Sequence, residues 1–170
     1  ELGCKLSIKP VGFKHIYSEM KKRDVLLGGG ETGGVGIAHH MPERDGLLVN
    51  LLLCEAMAVT GKSLAELVDE LESYFGRYYY ARRDLRIDPE IVEMLRTVLP
   101  GLNPPMVAGR VPVHVSHMDG LRLEFDDESW ILLRPSQTEP LIRVYAEAQT
   151  IEMRDELLDA GIDLAHGEFT

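Results

Sequence analysis

The chain has 170 residues, 45% of them hydrophobic and 27% charged, an ordinary globular balance with room for one domain or two small ones. Its formal net charge of −10 argues against nucleic acid or an anionic membrane as partner, while a local basic site stays compatible with it. The two cysteines, Cys4 and Cys54, lie in apolar runs and read as buried free thiols, which fits a reducing, cytoplasmic setting. No signal peptide and no apolar run of membrane-spanning length is visible.

The chain opens Glu1-Leu2-Gly3, without methionine, and so reads as a piece of a longer protein. Leu6-Ser7-Ile8 predicts a short strand. Phe13, Ile16, Tyr17 and Met20, at helical spacing, predict an amphipathic helix over 13–22. Asp24-Val25-Leu26-Leu27 predicts a second strand, and the strand–helix–strand order implies a parallel pair. Gly28-Gly29-Gly30-Glu31-Thr32-Gly33-Gly34 then contains G-x-G-x-x-G. A dinucleotide site needs a helix straight after the glycines, and residues 35–40 are not helix-forming. The glycines instead let a ligand approach the backbone. His39 and His40 also fit a plain turn with a capped histidine.

Residues 47–59 are apolar nearly all round and predict a buried helix, with Asp45 able to cap its start. Thr60-Gly61-Lys62-Ser63 is not a P-loop, because Ala56 stands where the motif needs glycine. Gly61 ends one helix, and Ser63 with Glu66 forms a capping box for the next, whose apolar face includes Leu64, Leu67, Val68 and Leu71.

From Gly76 the character changes. Residues 78–85 predict a long strand whose tyrosines pack a hinge near Gly76-Arg77. Asp88-Pro89-Glu90 starts a short helix that fades near Pro100-Gly101. Residues 111–115, 120–125, 129–133 and 141–146 alternate as antiparallel strands. His114 and His117 are three apart on a strand, which puts them on opposite faces and argues against a shared metal. Residues 150–165 predict a closing helix, weakened by Gly161. The fold class is thus an α/β partial domain over 1–75, followed by an α+β domain over 76–170 with a mainly antiparallel sheet and two helices.

Between the last two strands lies Arg134-Pro135-Ser136-Gln137-Thr138-Glu139-Pro140. It offers a fixed cation, two hydroxyls and a run of backbone N–H groups, with a proline at each edge. Arginine presents a donor fork that matches phosphate, and clustered N–H groups make anion nests. The same residues also fit an ordinary tight loop with a surface arginine.

The stretch RPSQTEPLIRVYAEA, 134–148, resembles the phosphate-binding loop and following strand of the phosphohexomutases, the phosphoglucomutase/phosphomannomutase superfamily. That loop usually reads R-P-S-G-T-E-P, and Gln137 here replaces its glycine. The glycine run resembles the family's sugar loop, G-E-E-S-G-G. Glu31 and Thr32 match its second glutamate and its serine, and Gly30 stands in place of the first glutamate. Val11-Gly12-Phe13-Lys14 and residues 40–46 resemble the family in the same order.

The resemblance implies phosphoryl transfer between two hydroxyls of a hexose through a phosphoserine, with Mg2+ and a hexose bisphosphate activator, in four domains around one cleft. This chain corresponds to the end of the third domain plus the fourth. Its implied partners are a hexose phosphate substrate and the N-terminal domains of the same enzyme. Glu31, Thr32, His40 and Arg44 would face the sugar, and Arg134, Ser136, Gln137 and Thr138 would grip the phosphate that is not transferred. The phosphoserine and aspartate-rich magnesium loops lie earlier in such chains, and no D-x-D-x-D run occurs here. No catalytic residue or metal ligand is therefore expected in this chain, which should bind without catalysing. Two rivals remain open: a non-catalytic phospho-ligand sensor or interaction module of the same ancestry, favoured by Gly30 and Gln137, and a mutase for an amino sugar phosphate.

Overall fold

A computed structural model describes residues 3–22, 24–136 and 138–167, which divide into two compact units, 1–71 and 72–170. In unit 1 the helical spacing around Met20 forms α1 (Phe13–Lys22), with Met20 buried. The helix packs on an antiparallel meander of β1 (Leu27–Gly29), β2 (Val35–Ile37) and β3 (Met41–Arg44), in that order. The expected parallel pair is not formed. Residues 6–8 are not in a strand, and the strand after α1 begins at Leu27 and runs antiparallel to β2. The glycines explain this. Gly30 N donates to Gly34 O at 3.1 Å and Gly33 N, at φ +80°, donates to Gly30 O at 3.0 Å, so the chain reverses at once into a hairpin.

Asp45 caps α2 (Gly46–Thr60) by accepting from Leu48 N at 3.0 Å, and Gly61 closes it with its N–H on Met57 O. The capping box of α3 (Leu64–Phe75) forms as expected, Ser63 N donating to Glu66 Oε2 at 2.8 Å and Glu66 N to Ser63 Oγ at 3.3 Å. The expected burial of α2 fails. None of its residues is buried, and Leu47 and Val59 are 73% and 80% exposed. Leu64, Val68 and Leu71 on α3 are exposed too. The small meander packs on α1, and the described residues of the unit offer α2 and α3 little else to pack on. Their ends are set by local caps, and their apolar sides stay open. Cys54 on α2 is accordingly exposed, and so is Cys4, contrary to the burial expected of both. No single described helix is long and apolar enough to cross a membrane.

Unit 2 is a five-stranded antiparallel sheet. Its order is β4 (Tyr79–Arg86), β8 (Leu141–Ala148), β7 (Trp130–Pro135), β6 (Leu121–Glu124), β5 (His114–Ser116). Helix α4 (Pro89–Val98) starts at the Asp88 cap with proline in its first turn, and α5 (Ile151–His166) starts at the Thr150 cap. Alternation sends Ile131, Leu133, Ile142 and Val144 to one face, where they form a core with Val92 and Leu95 of α4 and Leu157 and Leu158 of α5, none more than 2% exposed. The other face carries Trp130, Leu132 and Arg134 of β7 beside Glu147, Tyr145 and Arg143 of β8.

Gly161 is where α5 touches the sheet: a Cβ there would lie 2.5 Å from Val144 Cγ1 and 2.7 Å from Ile131 Cδ1. The residue expected to weaken the helix thus permits its docking. Strand β5 begins at His114 rather than at residue 111, because Pro112 has no N–H to extend the ladder. His117 bonds Leu102 O at 2.9 Å, whereas His114 Nδ1 lies 3.5 Å from Glu124. Arg110 ties its loop to the β6–β7 turn, 2.7 Å from Asp127 and 2.8 Å from Ser129 Oγ, with its guanidinium over the Phe125 ring. Burial pushes the Asp127 carboxyl up, but hydrogen bonds from Arg110 and Ser129 outweigh it and hold the group at about 2.

Candidate functional site

The loop joining β7 to β8 turns on Ser136, which is only 3% exposed. Its N–H donates to Leu141 O at 2.9 Å and closes the loop base. Its Oγ accepts from Glu139 N at 3.2 Å and Thr138 N at 3.4 Å. Two backbone donors therefore point to one spot, the arrangement of an anion nest. Both bonds are long for N–H···O, so an anion oxygen competes for these amides on good terms. Ser136 works mainly as the internal acceptor that shapes the loop. Thr138 is exposed beside it, and Gln137 lies outside the described residues.

Arg134 lies near the end of β7, just before the loop. Its Nη2 donates to Tyr145 Oη at 3.2 Å, its guanidinium lies 5.8 Å from the Tyr145 ring centroid, and its buried Nε has no hydrogen-bond partner among the described residues. Directly across the ladder stands Arg143, whose Nε is buried without a hydrogen bond among the described residues and has Asp84 as its ion-pair partner. Arg143 lies 3.7 Å from Glu139 and 3.9 Å from Asp84. Other arginines of this face have carboxylates too: Arg82 has Asp84 at 2.9 Å, and Arg122 has Glu124 at 2.7 Å. Among the described residues Arg134 has no carboxylate within 4.0 Å. Two cations paired across the ladder at the base of the loop, one of them without a carboxylate among the described residues, favour an anion with several acceptor oxygens. Arg143 was missed in the sequence. The available signal was its place two residues before Tyr145 on one strand face, but only the hairpin register puts it opposite Arg134.

In unit 1 Glu31 and Thr32 lie at the exposed tip of the β1–β2 turn. Arg44, at the end of β3, lays its stem against Gly34, where an added Cβ would fall 2.5 Å from Arg44 Cδ. Its guanidinium stacks 5.0 Å from the Phe13 centroid and its Nε lies 3.3 Å from Glu43. The Arg44 amide holds the Glu43 carboxyl below its usual range. The fold thus brings Arg44 to the glycine turn that carries Glu31 and Thr32. His40 Nε2 lies 2.8 Å from Asp45 Oδ2. The Leu48 amide and then His40 lower the Asp45 carboxyl, so His40 is engaged with the cap of α2. Among the described residues no three His, Cys, Asp or Glu side chains gather as metal ligands.

Comparison with known proteins identifies the family. The family description "Phosphoglucomutase/phosphomannomutase, alpha/beta/alpha domain III" matches residues 1–74, and "Phosphoglucomutase/phosphomannomutase, C-terminal domain" matches residues 108–163. A phosphoglucomutase/phosphomannomutase of Thermococcus kodakarensis is 30% identical over 162 residues, 95% of this chain and 33% of its own length. A phosphoglucosamine mutase of Streptococcus agalactiae is 32% identical over 166 residues, 98% of this chain and 33% of its own. A crystal structure from Thermus thermophilus, of a protein assigned as a phosphomannomutase, superposes with a TM-score of 0.74 at 37% identity, over 98% of this chain and 32% of that one. The chain spans about a third of the length of the relatives it matches. With both successive family domains matched in order, the chain belongs to the phosphoglucomutase/phosphomannomutase family.

Proposed function

We propose that this chain is the C-terminal part of a phosphohexomutase that transfers a phosphoryl group within a hexose phosphate, and that it supplies binding rather than chemistry. The observation that carries the proposal is Arg134: a half-buried guanidinium which, among the described residues, has an orphaned Nε and no carboxylate within 4.0 Å, on the strand that leads into the loop where the Thr138 and Glu139 amides converge. Arg134, Arg143 and the loop N–H groups would hold the phosphate that stays in place. Charge and amide donors read phosphate without reading the ring, so the grip tolerates a hexose bisphosphate in either orientation. Glu31, Thr32 and Arg44 would contact sugar hydroxyls, and His40 would act through the cap of α2. The described residues do not fit a magnesium site, so Mg2+ and the phosphoserine would come from the N-terminal domains of the complete enzyme. The chain alone should be inactive, and conversion of glucose 1-phosphate by it would refute that. An amino sugar phosphate is the second reading, favoured by the phosphoglucosamine mutase relative.

The test is titration of the chain with inorganic phosphate, glucose 1-phosphate and glucose, with and without Arg134→Ala. A lost charge-assisted pair costs roughly 1.5–3 kcal/mol, so the two phosphate ligands should bind about ten- to a hundredfold more weakly. Arg134→Lys keeps the charge and loses the fork, so it should rescue only part. An equal loss for glucose would show that Arg134 supports the fold and does not read phosphate.

A further inference from the structure

The phosphate loop is also held from outside its own hairpin. Arg96 lies in the last turn of α4, forty residues before Ser136 in the chain. Its Nη2 donates to the Ser136 carbonyl, while its Nη1 donates to the Glu93 carboxylate one turn back on the same helix. Glu93 thus fixes one edge of the guanidinium and the other edge grips the loop. All the polar groups of Ser136 are committed: N–H to Leu141 O, Oγ to the amides of Thr138 and Glu139, and carbonyl to Arg96. Pinning that carbonyl holds Ser136 in place, and with it the Oγ on which the Thr138 and Glu139 amides converge.

We propose that Arg96 is a positioning residue for the phosphate loop: from α4, through the Ser136 carbonyl, it presets the amide nest for an anion. The proposal rests on the phosphate reading of the loop. Anchoring α4 does not require the contact, because Val92, Leu95 and Leu99 already hold that end of the fold in the core. Arg96 lies outside both segments that match the family, 1–74 and 108–163, so the loop motif does not contain this device. A fork donating to two acceptors in different elements suits arginine and not lysine.

The experiment uses the 15N-labelled 170-residue chain, titrated with inorganic phosphate, as wild type, Arg96→Gln, Arg96→Lys and Arg134→Ala. Arg96→Gln should weaken phosphate binding about five- to tenfold, the loss expected for about one preorganising contact. It should also speed amide hydrogen exchange at Thr138 and Glu139 while leaving α4 amides unchanged. Arg96→Lys should restore part of the affinity. If Arg134→Ala removes binding while Arg96→Gln leaves affinity and loop exchange at wild-type values, the role of Arg96 is overturned and the phosphate reading stands. Exchange that rises equally along α4 and the loop would make Arg96 a fold contact and also overturn the role. If the wild type shows no saturable shift, or Arg134→Ala binds as well as the wild type, the phosphate reading falls and the role of Arg96 falls with it.

Discussion

Gly161→Ala sets two effects of opposite sign against each other. In an isolated helix alanine is better than glycine by about 1 kcal/mol. Here the new methyl would sit 2.5 Å from Val144 Cγ1 and 2.7 Å from Ile131 Cδ1. Both neighbours are 0% exposed, so neither can swing into solvent, and α5 must lift or the sheet must bend. Overpacking of this kind costs about 1–3 kcal/mol, and two contacts this short put it in the upper half of that range. The net expectation is a loss of about 1–2 kcal/mol, the packing cost less the gain in helix propensity. Trp130, the only tryptophan, lies on β7 and reports unit 2 by fluorescence. A two-unit chain does not unfold in one step, so such a local probe is needed. The urea midpoint should fall by about 0.5–1 M. Adding Ile131→Val removes the closer end of one clash, and the double variant should lose about 1 kcal/mol less than the sum of the singles. A raised midpoint for Gly161→Ala would show that helix propensity wins and that α5 does not seat on Val144 and Ile131 as described.

Arg143→Ala should weaken phosphate binding about three- to tenfold by titration, less than Arg134→Ala, since Glu139 and Asp84 already offset part of its charge. No change would remove Arg143 from the grip. Asp127→Asn should flatten the acid limb of unit 2 stability. The folded carboxyl, held at about 2, lies below its ordinary 3.8, so its contribution is present above 3.8 and lost as pH falls toward 2. Solvent screening leaves roughly 1–2 kcal/mol of it. Trp130-detected urea midpoints should therefore separate wild type from variant at pH 6 and converge near pH 2, and a pH-independent gap would contradict the Arg110–Asp127 account.

Local chemistry settled much of this protein from its sequence. Asp45 and Gly61 bound α2, Ser63 and Glu66 start α3, and Asp88-Pro89 starts α4, each as expected, because a cap depends on residues within one turn of it. The alternation of residues 129–133 and 141–146 announced a hairpin with the Arg134 loop at its end, since a two-residue period needs only the strand itself. What the tertiary structure alone decided was every property that depends on a partner distant in sequence. The strand at Leu27 took an antiparallel neighbour instead of a parallel one because the glycine turn closed first. The apolar run of α2 stayed exposed because an apolar sequence states a need for cover and cannot supply it. Arg143 joined the site through a ladder register, and Arg96 through a contact forty residues away. The sequence named Arg134; only the packed sheet shows that among the described residues it has no carboxylate within 4.0 Å while Arg82, Arg122 and Arg143 each have one, since charge compensation is set by distances in space.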